Sequence, residues 1–227
     1  MLSNLKDRLR KIFVGEPFDP ATLGDPLALK TSWEPIGSMK SNFRTHRGML
    51  RKDGSFAFLP TSTTIGLGSA IVLIGLLVPS IVLPNVYLPI DSEFKMTLLI
   101  LAVSTLYAVV GLWMLWIVTK PRVFDLRRGL FWKSWITPSG LLKLPKGCAQ
   151  LKDIHALQLL YVGGNNAVCY ELNLVLKDET RTHVLSHGDR ESLCNDADKL
   201  GKFLGVPVWD ARGGKNKDRK GLEHLFR

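Results

Sequence analysis

The chain has 227 residues, with 30 Lys and Arg against 20 Asp and Glu, a formal net charge of +10. With 46% hydrophobic residues it is no disordered polyelectrolyte; 20 glycines without a triplet period exclude collagen, and three cysteines are too few for a disulfide scaffold. The excess of bases points to nucleic acid or a membrane surface, and only the positions of the charges separate the two.

The first 14 residues read as an amphipathic helix. Leu2, Leu5, Leu9 and Ile12 recur at helical spacing, and Lys6, Arg8, Arg10 and Lys11 supply a cationic side. That pattern suits a helix lying over anionic lipid or, equally, one docked on a domain surface. Residues 15–41 hold Pro17, Pro20, Pro26 and Pro35 and are expected to be a linker. Residues 42–62 follow as a β-hairpin. Its turn is Asp53-Gly54, and Phe56 and Phe58 alternate with smaller residues as in a half-buried strand.

Residues 54–90 contain no charge, and neither do residues 96–119. Both stretches exceed the roughly 18 apolar residues that mark a membrane span. The expected helices run from 63 to 83 and from 96 to 119. Pro84 and Pro89 interrupt the short connection, so an antiparallel transmembrane hairpin is predicted over 63–119. Small residues four apart, Gly66 with Ala70 and Ser104 with Ala108, are the candidate packing faces. Gly75 and Pro79 are candidate kink points, and Trp113 and Trp116 fit an interfacial aromatic belt.

Partitioning the charge sets the orientation. Residues 1–60 hold 10 bases and 6 acids, residues 84–95 one base and two acids, and residues 120–227 hold 19 bases and 12 acids. Arg51 and Lys52 precede the first span; Lys120, Arg122, Arg127 and Arg128 follow the second. By the positive-inside rule both termini are cytoplasmic. In a bacterial cell this is an integral protein of the inner membrane. The same bases are candidate contacts to anionic lipid, alongside Lys6, Arg8, Arg10 and Lys11.

Residues 120–210 read as a cytoplasmic β-domain. Short strands are expected at 123–125, 130–136 and 157–162. Tyr170, Leu172, Leu174 and Leu176 alternate with more polar neighbours, which predicts an antiparallel strand, with a return over 181–185. Asp189 is placed to cap a helix whose stripe is Leu193, Ala197, Leu200 and Leu204, ended by Gly205 and Pro207. Residues 211–227 form a basic tail. The fold class expected is a two-helix membrane hairpin plus an α+β domain, an antiparallel barrel or sandwich closed by one C-terminal helix. That layout is the one found in pleckstrin-homology-like domains. Asn42-Phe-Arg-Thr-His46, Tyr170-Glu-Leu-Asn-Leu-Val-Leu-Lys-Asp178, His187-Gly188 and Phe203-Leu-Gly-Val-Pro-Val-Trp-Asp210 carry a resemblance. Over about residues 28–210 the chain resembles an uncharacterised group of bacterial two-span membrane proteins, and the resemblance implies no activity.

Chemical signatures are sparse. Neither span holds an ionisable Asp, Glu, Lys, Arg or His, which transport and proton relays usually need. Gly213-Gly214-Lys215 lacks the context of a phosphate-binding loop, and Cys148, Cys169 and Cys194 lack metal-ligand spacing. His183 and His187 straddle a strand-to-helix transition. His155 lies near Asp153, and Trp209-Asp210 suits core packing with a polar tip. No cofactor, metal site or catalytic trio is expected, and no specific nucleic-acid binding. The expected function is a membrane-anchored, non-enzymatic adaptor that binds a protein partner or anionic lipid. The alternatives are an assembly or homeostasis factor acting through its hairpin, with homo-oligomerisation open, and an enzyme on lipid or envelope precursors.

Overall fold

The computed structural model describes residues 18–37, 43–82, 93–138, 145, 147–164 and 167–211. The expected amphipathic helix with Lys6, Arg8, Arg10 and Lys11, the connection between the two long helices and the basic tail lie outside them. Four α-helices occur among the described residues: α1 (Pro26–Lys30), α2 (Ser62–Val82), α3 (Glu93–Val118) and α4 (Arg190–Leu204). The strands are β1 (His46–Leu50), β2 (Phe56–Pro60), β3 (Arg122–Asp125), β4 (Leu130–Lys133), β5 (Ala149–Gln150), β6 (Ile154–Gly164), β7 (Ala167–Leu176), β8 (Arg181–His187) and β9 (Val208–Asp210).

Two sheets form. The first has the order β1-β2-β3-β4-β5, and the second β8-β7-β6-β9. All pairs are antiparallel except β6 with β9. The hairpin expected at 42–62 is therefore not a separate unit. Its second strand, β2, pairs with β3 across the whole α2–α3 insertion: Phe56 faces Phe124, and Phe58 faces Arg122. The separation into a 42–62 hairpin and a 120–210 domain breaks down here, because the edge of β2 away from β1 is satisfied by residues 64 to 68 positions further on.

The inner faces meet in one core. Phe56, Phe58, Phe124 and Phe131 of the first sheet pack against Leu157, Leu159, Leu172, Leu174 and Leu185 of the second. Leu193, Ala197 and Leu200 of α4 close it. Each such Leu or Phe side chain contributes about 1.5–3 kcal/mol on burial. The start and stop of α4 follow the local chemistry. Asp189 accepts from the Ser192 N–H at 3.1 Å, and Gly205 takes φ 69° beyond the last turn.

Residues 18–37 are more than a linker. They lie as a strap on the outer face of the second sheet, where Ala28, Leu23, Leu27 and Trp33 pack with Ala156, Val175 and Trp209. Asp25 accepts from the Leu27 N–H at 2.9 Å and starts α1 at Pro26. The Trp33 indole donates to the Ala28 carbonyl at 2.9 Å.

The long helices pack on each other through glycine. A Cβ at Gly75 would meet the Ala108 N at 2.6 Å and the Ser104 O at 2.9 Å; at Gly68 it would meet Leu115 at 2.5 Å, and at Gly111 the Val72 N at 3.0 Å. Gly68 and Gly75 are seven apart, as are Ser104 and Gly111, which is the repeat of left-handed helix pairing. Ser104 and Ala108 thus lie at the contact, but Gly66 and Ala70 do not. Both are exposed, and a Cβ on Gly66 would meet open space. Their four-residue spacing puts them on one face, but that face turns away from α3. Gly75 packs the backbone closely, where a kink point was expected.

Gly75→Leu is expected to force α2 and α3 apart and destabilise the protein by about 1–3 kcal/mol. Gly66→Leu should change stability by less than about 0.5 kcal/mol. Thermal unfolding in mild detergent compares the two, and equal losses would contradict this packing.

Candidate functional site

The inner face of the first sheet is aromatic at one end and polar at the other. Register explains this. Arg122 shares the face with Phe124, and directly opposite it on β4 stands Lys133. Adjacent cations on one sheet face repel, so Arg122 needs acceptors. Its Nε donates to the Val184 carbonyl at 2.9 Å and its Nη1 to the Lys120 carbonyl at 3.3 Å. Nη1 also donates to Nε2 of His46. His46 must then be neutral, with Nδ1–H donating to Thr45 Oγ1 at 3.0 Å. Burial, with the Arg122 charge second, holds His46 down to about 3. Burial brings Arg122 to about 10, and burial followed by the Arg122 charge brings Lys133 to about 8.

Beside this pair lies a half-buried ion pair. Arg44 Nη2 meets Asp196 Oδ2 at 2.6 Å, and the Gly48 N–H donates to the same oxygen at 2.9 Å. Asp196 thereby ties α4 to β1. A Cβ at Gly48 would meet Asp196 Cγ at 3.1 Å and Phe56 at 2.9 Å, so the approach requires glycine. Between these pairs sits His187, fully buried, with no hydrogen-bond partner at either ring nitrogen among the described residues. Burial holds it near 4, against the opposing pull of Asp189.

A second polar group lies under the strap. Glu171 is fully buried and accepts from the Ile36 and Gly37 N–H groups, each at 2.8 Å, and from Asn173 Nδ2 at 2.7 Å. His183 Nε2 is 2.8 Å from Ser186 Oγ. Burial, then the Lys133 charge, lowers His183 to about 4. Serine, histidine and carboxylate here have the residue types of a nucleophilic site. Gly37 roofs them: a Cβ there would lie 2.7 Å from His183 Nε2, 2.8 Å from Glu171 Oε2 and 2.9 Å from Ser186 Oγ. With both Glu171 oxygens engaged, the arrangement works as a latch for the strap. Gln158 donating to the Ser32 carbonyl at 3.0 Å and Arg181 donating to the Glu34 carbonyl at 2.8 Å extend that latch. His155 pairs with Asp25 of the strap at 2.7 Å, so its partner is not the neighbouring Asp153.

The predicted basic residues split between the two ends of the first sheet. Lys120 lies where α3 enters β3, its Nζ 4.0 Å over the Trp116 ring. Arg122 turns into the domain and spends its donors there. Arg51 and Lys52 lie in the β1–β2 turn, and Arg127 and Arg128 in the β3–β4 turn. Both turns are at the end away from α2 and α3, about 15 Å or more along strands that rise about 3.3 Å per residue. These four do not sit at the helix ends, although in sequence they flank them closely. Nearness in sequence to a span is not nearness in space once a strand runs between. The two turns adjoin each other. Hydrogen bonds from Ser55, and then the charges of Arg51 and Arg127, hold the Asp53 carboxyl below the usual range. Leu50 and Leu126 stand exposed at the same end, at 62% and 53%. Sequence reasoning missed this cluster, although the Asp53-Gly54 turn and Arg127-Arg128-Gly129 carried its signal.

No group of three or more His, Cys, Asp or Glu able to hold a metal ion occurs among the described residues. Cys148, Cys169 and Cys194 form no disulfide among the described residues. The Trp209 ring packs 5.9 Å from Trp33 and 5.6 Å from His155, within the strap's core.

The buried histidines set a pH dependence. His46 and His187 are neutral in the fold, titrating near 3 and 4, against about 6.5 in an unfolded chain. The unfolded chain binds more protons in this window, so stability is full above about 6.5 and falls as pH drops toward 4. Between pH 7 and pH 5 each histidine should remove about 2 kcal/mol. Denaturant unfolding at the two pH values should show the loss, and His187→Leu should reduce it. A pH-independent midpoint would contradict the neutral, buried assignment.

Comparison with known proteins adds no relative: no family model matches the chain, and neither a curated protein nor a solved structure matches it.

Proposed function

We propose that the protein is a membrane-anchored, non-enzymatic adaptor of a bacterial inner membrane. The carrying observation is the insertion of α2 and α3 between two hydrogen-bonded strands of one sheet. Both helices are long and apolar enough to cross a bilayer. Their 21 and 26 residues rise about 31 and 39 Å. Away from their mutual contact they expose Leu76, Leu106 and Trp113 at 57%, 61% and 61%. Lipid is the solvent that suits such a surface.

On this reading the hairpin fixes one end of the β-domain against the cytoplasmic leaflet. The opposite end, with Leu50 and Leu126 among Arg51, Lys52, Arg127 and Arg128, then faces the cytoplasm. Exposed leucines ringed by bases suit an acidic protein partner. Two mainly antiparallel sheets closed by α4 are compatible with a pleckstrin-homology-like description; the resemblance to bacterial two-span proteins rests on the sequence segments alone. The parallel strand β9 departs from that simple layout. Assembly through the hairpin is the second reading, favoured by the outward, exposed face of Gly66 and Ala70.

Arg51→Glu combined with Arg127→Glu should leave the fold intact, since both side chains are at the surface. In affinity capture from detergent-solubilised membranes, the double variant should lose a reproducible partner by tenfold or more. Unchanged capture, or no reproducible partner of the native chain, would count against the adaptor reading.

A further inference from the structure

We propose that the segment after β4, Trp135 and Ile136, is a third membrane contact that beds the β-domain into the lipid interface. The inference rests on the reading that α2 and α3 cross a bilayer. β4 runs antiparallel to β3, and its last residue, Lys133, pairs with Arg122, the first of β3. Arg122 comes four residues after the end of α3. The chain therefore leaves β4 at the end of the sheet where the helices enter and leave. The next residues are the exposed ones. Trp135 is 52% exposed and Ile136 79%, the highest value among the exposed large apolar residues described. The turn is held locally by the Ile136 N–H donating to Ser134 Oγ at 3.1 Å.

The chemistry of the neighbourhood fits lipid. Tryptophan is favoured at the headgroup level, and an isoleucine beside it would reach the acyl boundary. Exposed Arg47, paired across β1–β2 with Leu59, and Lys120 over Trp116 lie at the same end. These cations complement anionic headgroups. Membrane and domain would thus meet at three places: the two helix ends and this turn. Such a contact removes the swing that two closely spaced anchors leave free. It also explains why two large apolar side chains are exposed next to a helix junction while the same sheet buries Trp132.

The test uses the full chain in vesicles of neutral and anionic phospholipid at three to one. Leu106→Cys, Leu126→Cys and Ile136→Cys are each labelled with an environment-sensitive fluorophore after Cys148→Ser and Cys194→Ser; buried Cys169 stays. Nitroxide lipids carry the quencher in the headgroup region or the acyl chain. The label at 106 should be quenched by the acyl-chain nitroxide. The label at 136 should be quenched by the headgroup nitroxide at least twofold more than the label at 126. If 106 is quenched but 136 is no more quenched than 126, the third contact is overturned while the spans stand. If 106 is not quenched, the membrane reading itself fails. A label at 136 shielded in native membranes but not quenched in vesicles would mark a protein surface instead, and would also overturn the proposal. With the cysteines native, Trp135→Phe should remove a bromolipid-quenchable part of the fluorescence; an unchanged quenching curve counts against it.

Discussion

The pairing of β2 with β3 is the constraint on which the rest of the structure depends. Phe56 with Phe124, Ala57 with Val123 and Phe58 with Arg122 are brought together across an insertion of two long helices. Closing a flexible loop of that length is entropically costly and slow. Here most of the insertion is helix. α2 and α3 lie against each other at Gly68, Gly75 and Gly111, and so hold the two strand ends together. The junctions are tight as well. Thr61 Oγ1 donates to the Arg44 carbonyl at 2.9 Å, and Thr64 Oγ1 to the Thr45 carbonyl at 2.8 Å, pinning the start of α2 onto the chain entering β1. The helix pair serves as the turn of a β-hairpin.

That constraint gives the domain two unlike ends. The end at the helices carries Lys120, exposed Trp135 and Ile136 and, inside, the neutral His46 bound to Arg122. The far end carries the basic turns. If α2 and α3 cross a bilayer as proposed, the same bases act at two stages. Before folding, Arg51, Lys52, Arg127 and Arg128 lie close in sequence to the spans, where the positive-inside rule counts them. After folding, the strands have carried them to the other end. On that reading, orientation and any role in binding are separated in time and in space. The net charge of +10 is accordingly no single signal.

Much of the fold was legible because its signals are local. Charge-free stretches marked both helices, within a few residues of their ends. The alternation from Tyr170 to Leu176 marked β7, and Asp189 and Gly205 bounded α4. What escaped was set by contacts distant in sequence. The strap at 18–37 reads as a proline-rich linker until Glu171, Gln158 and Arg181 bind its backbone. The small-residue rule selected Gly66 and Ala70 by spacing alone, whereas the contact uses Gly68 and Gly75, because the partner helix decides which face is inside. Cross-strand register, invisible in a linear count, turned Arg122 inward and sent its basic neighbours away. The polar cluster around His187 had no signature at all, since its members come from β1, β3, β8 and α4.

The central claim is that one β-domain is built from both sides of the helix hairpin. The most direct measurement is to replace residues 62–118 with a four-residue turn joining β2 to β3 and to follow amide exchange. The account predicts a soluble, cooperatively folded domain in which Phe56, Phe58 and Phe124 remain protected. An unfolded or aggregated product, or exchange of β1 and β2 independent of the rest, would contradict it.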